Sequence, residues 1–108
     1  MYTYKATVID VYDADTITIK IDLGFKITQE MRIRLDGIDA PELRGQTREL
    51  GLLARDYLTK LILNKEITIT TVKDTQGKYG RYLGTIFLGD LNINKHLLNK
   101  GTVNRYTK

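Results

Sequence analysis

The stretch Thr16–Leu23 reads Thr-Ile-Thr-Ile-Lys-Ile-Asp-Leu, apolar at every second residue, and this alternation most limits what the chain can become. A period of two sorts side chains onto the two faces of a pleated strand, whereas a helix would scatter them around its surface. The same pattern recurs over Thr3–Val11, in Met31–Leu35 (MRIRL) and in Glu66–Val72 (EITITTV), and Tyr82–Leu88 supplies a fifth strand. Turn-forming residues separate these runs: the Asp-rich corner before Thr16, Gly24, Asp74–Gly77 and Gly89-Asp90. One segment follows a different period. Leu50, Leu53, Ala54, Tyr57, Leu58, Leu61 and Ile62 form one continuous apolar stripe, which predicts an amphipathic helix of about four turns. Asn64 is its stop. A second, short helix is expected from Ile93 to Lys100, with Asn92 as cap and Gly101 as stop.

The order of elements is therefore βββ-α-ββ-α within 108 residues, enough for one domain over residues 1–108 and too few for two. Five short antiparallel strands leave two exposed edges unless the sheet closes on itself. The expected fold is mainly β (α+β): a five-stranded barrel of the oligonucleotide/oligosaccharide-binding type (OB-fold). Its first helix, between strands three and four, plugs one end, and the second helix lies near the C-terminus.

Composition narrows the chemistry. Lys and Arg total 17 against 13 Asp and Glu, a formal charge of +4 with a pI near 9.3. That is a mild bias toward polyanions, and equally the mark of a soluble surface. His96 is the only histidine and cysteine is absent, so two-histidine acid–base pairs, disulfides and thiolate zinc sites are excluded. Hydrolysis would have to run on carboxylates, arginines, lysines, tyrosines or an oxygen-bound metal. No apolar run reaches the roughly 18 residues that span a bilayer, so no membrane partner is expected. The first residues, MYTYKATVID, alternate like a strand and not like a signal peptide. A cytoplasmic protein and a mature secreted domain both stay open.

Three clusters carry groups suited to chemistry. Asp13-Ala14-Asp15-Thr16 lies at the first turn; Arg32-Ile33-Arg34-Leu35-Asp36-Gly37-Ile38-Asp39-Ala40-Pro41-Glu42 runs from the third strand into a loop; Lys78-Tyr79-Gly80-Arg81 precedes the fifth strand. Each alone also fits an ordinary structure: an Asx turn, a solvated strand face, a basic hairpin corner. Together they suggest more. Carboxylates from the first two can meet at a barrel rim as hard oxygen ligands for Ca²⁺ or Mg²⁺. Two arginines from different strands can then face one pocket, and guanidinium forks match phosphate oxygens.

Here the sequence resembles the thermonuclease (staphylococcal nuclease) family. The matching segments are VIDVYDADT, RIRLDGIDAPE and GKYGRYLG, in family order and spacing, followed by INKHLLNKG. The likeness runs from about Thr3 to Gly101. It implies a Ca²⁺-dependent nuclease that hydrolyses DNA and RNA at the 5′ P–O bond and leaves 3′-phosphate ends. It places Asp15 and Asp39 as metal ligands with the carbonyl of Ala40, and Glu42 as the group that orients the attacking water. Arg34 and Arg81 fall at the positions that bind the scissile phosphate, and Lys78 and Tyr79 at those that contact a terminal phosphate. Ala14 and Ala40 stand where the best-known member has glycine and threonine. The Leu43–Arg48 loop is shorter than in that archetype, and its third helix has no counterpart before Lys108.

The partner expected is nucleic acid, preferably single-stranded DNA or RNA, and the chain is expected to be a monomer. Two other readings compete. One is a catalytically silent OB-fold module that binds nucleic acid or protein, which would lose the metal and arginine positions. The other is a barrel for a small anionic ligand, which leaves three ordered motifs to coincidence.

Overall fold

A computed structural model describes residues 2–73 and 82–106 of the chain. Three strands form a meander: β1 (Tyr2–Asp13), β2 (Thr16–Asp22) and β3 (Thr28–Leu35). Their register aligns Val11 with Ile17 and Ile17 with Ile33, so the alternating apolar residues of all three strands enter one core. Ile17, Ile19, Ile33 and Leu35 are completely buried. Each such side chain contributes about 1.5–3 kcal/mol relative to an exposed one.

Helix α1 (Arg48–Ile62) crosses from the end of this meander to β5 (Glu66–Lys73), after a two-residue strand β4 (Ile38–Asp39). β5 pairs antiparallel with β1 and with β6 (Tyr82–Leu88). β6 also pairs with β3, aligning Ile33 with Tyr82 and Leu35 with Gly84, and this contact closes the five long strands into a barrel. The closing pair is parallel, where five antiparallel strands were expected from the sequence. The helical crossover places β6 beside β3 in the same direction, a relation no hairpin can produce. The architecture is a closed five-stranded mixed barrel with two helices, consistent with an OB-fold.

The α1 stripe is only partly a core stripe. Ala54, Leu58 and Ile62 are buried against the barrel, but Leu50 and Leu53 are 60% and 66% exposed. The buried residue of the first turns is Gly51, where an added Cβ would stand 2.7 and 2.8 Å from the carbonyl oxygens of Glu42 and Pro41. The start of α1 thus backs onto the loop after β4 and not onto the barrel. Asn64 follows the helix with φ 63°, the left-handed turn expected of a stop.

The chain ends on β7 (Leu91–Asn92), α2 (Ile93–Lys100) and β8 (Asn104–Arg105). The Asn92 side chain accepts the Lys95 N–H and Gly101 adopts φ 82°, so cap and stop stand where the sequence put them. Periodicity gave no sign of β4 or β8, which pair with each other as a separate two-stranded sheet. Inside α2, buried Asn94 accepts the Ile86 N–H at 3.1 Å and donates to the carbonyls of Asp36 (2.9 Å) and Gly84 (3.0 Å). It ties the helix to β6 and to the turn between β3 and β4.

Candidate active site

The tight turn between β1 and β2 aims a carboxylate inward. Asp13 Oδ1 accepts the Asp15 N–H at 3.1 Å, an Asx turn, so the ordinary reading of this corner is also correct. Ala14 is fully buried and Asp15 is only 8% exposed. Asp15 Oδ1 accepts the Thr16 hydroxyl at 2.8 Å, and its Oδ2 accepts the Ala40 N–H at 2.9 Å. The second contact spans 25 positions of sequence and docks the loop after β4 onto the first turn. The Asp15 carbonyl accepts the Leu35 N–H at 2.7 Å, which fixes the end of β3 beside it.

Arg34 leaves β3 on the outer face, between buried Ile33 and Leu35, and turns to the same place. Its Nη1 donates to the Ile38 carbonyl at 3.1 Å. Its Nη2 lies 3.4 Å from Asp39 Oδ1 and 3.8 Å from Asp15 Oδ2. One guanidinium nitrogen therefore reaches both carboxylates predicted as metal ligands. The Tyr106 ring lies 4.9 Å from the guanidinium carbon, on a cation–π contact that β8 makes possible. The Tyr106 N–H donates to the Gly37 carbonyl, and Asn104 and Arg105 pair with Asp39 and Ile38.

These carboxylates do not titrate alike. Burial pushes the Asp13 carboxyl up, and the neighbouring Asp15 adds to it, bringing Asp13 to about 7 against the pull of the Asp15 N–H. Burial would raise Asp15 too, but contacts from Asp13, the Ala40 N–H, the Thr16 hydroxyl and Arg34 outweigh it and hold Asp15 below its ordinary value. The two carboxyls shift in opposite directions, Asp13 up and Asp15 down, because they face each other at the same turn.

Glu42 stands apart from this cluster but faces it across a cleft. That cleft, of about 380 Å³, is lined by Tyr12, Asp13, Glu42, Leu43 and Arg44. The Glu42 carboxylate is exposed and lies 3.9 Å from Arg44, a weak surface pair. Its carbonyl accepts the Thr47 hydroxyl, which steadies the loop. The structure thus gathers Asp15, Arg34, Asp39 and Ala40 at one rim, with Glu42 at the adjoining cleft. Lys78, Tyr79 and Arg81 lie outside the described residues.

The donor set suits a hard divalent cation. Asp15 and Asp39 offer carboxylate oxygens at one rim, both within reach of Arg34. Among the described residues no three His, Cys, Asp or Glu side chains are gathered for a metal, so a cation would need backbone carbonyl or water oxygens as well. The sequence placed Asp13 in the first cluster without a role of its own, gave Tyr106 no assignment and did not single out Asn94. Asp13 was visible only as a turn residue; Tyr106 and Asn94 act through contacts distant in sequence, and only their residue types could have hinted at them. No described helix is long and apolar enough to cross a membrane.

Comparison with known proteins shows the family. A family model described as staphylococcal nuclease homologue matches residues 32–108. The thermonuclease of Staphylococcus intermedius is 32% identical over 94 residues, covering 84% of this chain and 53% of that protein. A probable staphylococcal-like nuclease of Oryza sativa subsp. japonica, CAN3, is 34% identical, covering 85% of this chain and 26% of its own. The micrococcal nuclease of Shigella flexneri is 33% identical over 78% of this chain and 42% of its length. The chain thus spans about half or less of these relatives. On the family match and on these identities, the chain belongs to the staphylococcal nuclease homologues, a family of nucleases.

Proposed function

We propose that the chain is a metal-dependent phosphodiesterase that hydrolyses single-stranded DNA or RNA. The observation that carries this reading is the Arg34 guanidinium shared between Asp15 and Asp39. Two anionic oxygen donors and a planar cation at one rim match the two needs of a phosphodiester: charge neutralisation and bidentate grip on phosphate oxygens. Asp15, Asp39 and the Ala40 carbonyl would hold Ca²⁺, which when bound supplies positive charge to the phosphate and its water ligand.

The remaining steps belong to the chain. Glu42 accepts a proton from the attacking water, whose oxygen forms the new P–O bond while the bond to the 5′ oxygen breaks. A proton passes to that leaving oxygen, and the product keeps a 3′-phosphate. Arg34 donates to the non-bridging oxygens, whose charge grows as water attacks. Arg81 supplies a second fork, the role that the family resemblance gives its position. Lys78 and Tyr79 contact a terminal phosphate.

The test is incubation with single-stranded DNA in Ca²⁺ or in EDTA, with end-group analysis. Cleavage in Ca²⁺ alone, with 3′-phosphate products, is expected. Cleavage that survives chelation unchanged overturns the metal; binding without cleavage leaves a silent barrel.

A further inference from the structure

We infer that Tyr12 and Arg32 form a subsite for an unpaired nucleotide beside the reaction centre; the inference rests on the nucleic-acid reading above. Tyr12 lies at the end of β1, one residue before Asp13, and between buried Val11 and the Asx turn its ring must point outward. It is 52% exposed at the cleft wall. The Arg32 guanidinium lies over it, 5.0 Å from the ring centre. Arg32 sits two residues before Arg34, on the same face of β3.

The two arginines of that face differ in one respect. Arg34 is engaged by Asp15, Asp39 and the Ile38 carbonyl. Among the described residues no carboxylate lies within ion-pair distance of Arg32, whose charge is offset only by the Tyr12 π face. A cation kept free of carboxylates attracts an anion from solution. The arginine also fixes the ring, so a second flat group meets a pre-ordered surface.

The cleft adds direction. Tyr12 shares it with Glu42, the candidate base, and with Arg44. A strand whose phosphate lies at Arg34 therefore runs past Tyr12 with its next nucleotide. Its base stacks on the open side of the ring, and its phosphate takes Arg32. Stacking accepts any base but needs one that is not in a duplex, so this pair would select single strands without reading sequence.

The experiment is binding of fluorescein-labelled oligothymidylate in EDTA, compared with a fully abasic deoxyribose-phosphate chain of equal length. Tyr12→Ala is expected to weaken oligothymidylate binding by about 10-fold, within the range of one lost stack, and to leave the abasic chain unchanged. Tyr12→Phe should restore binding, because it keeps the ring. Arg32→Gln should weaken both chains and flatten the salt dependence by about one phosphate contact. Equal losses on both chains with Tyr12→Ala, or no loss on either, overturn the subsite. Thermal melting of each variant reports the fold. Because binding is read without metal, a chain that binds in this pattern yet never cuts refutes the hydrolytic reading and keeps the subsite.

Discussion

Replacing Asn94 by alanine is expected to lower stability by about 3 kcal/mol. The side chain is 95% buried and serves three backbone groups from two other parts of the fold. Gly84 O keeps a partner after truncation, because it also accepts the Asp36 N–H at 2.8 Å. The Ile86 N–H keeps none from this side chain and is buried, a loss of roughly 1–3 kcal/mol. Losing the donation to Asp36 O adds about 1 kcal/mol. For a domain of this size 1 kcal/mol moves the melting point by roughly 4 °C, so a fall of on the order of 10 °C is expected by calorimetry or circular dichroism. Asn94→Asp sharpens the test. It keeps an acceptor for Ile86 but turns carboxylate lone pairs toward two carbonyls in a buried place, so it should melt below Asn94→Ala. An aspartate variant as stable as the parent would refute the reasoning, since the amide donors would then carry nothing.

Three further outcomes are expected. Gly51→Ala gains up to about 1 kcal/mol of helix propensity but sets a Cβ 2.7 Å from the Glu42 carbonyl. The loop must shift, so the proposed nuclease activity should fall several-fold more than the melting point suggests, and unchanged activity would show that the Glu42 loop does not depend on α1. Gly84→Ala puts a Cβ 2.7 Å from Ile69 Cδ1 and 2.8 Å from Ile33 Cγ2 at the barrel closure; a loss of about 1–3 kcal/mol is expected in a denaturant titration. Arg81→Lys keeps the charge but not the planar fork, so single-turnover cleavage should slow by on the order of 10²-fold while oligonucleotide binding falls far less. A lysine variant that cuts as fast as the parent would leave Arg81 as mere surface charge.

Much of this protein is written in local pattern. Ile17, Ile19 and Ile21 alternate because one face of β2 must be dry, and burial follows that alternation residue by residue. Asn92 and Gly101 mark α2 because a side-chain acceptor and a left-handed residue satisfy helix ends wherever they occur. Asp15, Arg34 and Asp39 were legible as candidates because their residue types and spacing are local facts. Their meeting was not. The Ala40 N–H reaches Asp15 across 25 positions, and β3 closes onto β6 in parallel, relations set by the path of the whole chain. The same limit explains Leu50 and Leu53. Helical period places them on the stripe, but what that stripe meets at its first turns is the Pro41–Glu42 backbone, which only Gly51 can approach. Sequence thus determined which residues prefer to be inside, turned or charged, since those preferences act over a few neighbours. Tertiary structure alone decided which charges share a rim, which arginine has no carboxylate among the described residues within ion-pair distance, and which way the carboxyls of Asp13 and Asp15 shift, because burial and distance between remote segments exist only once the barrel has closed.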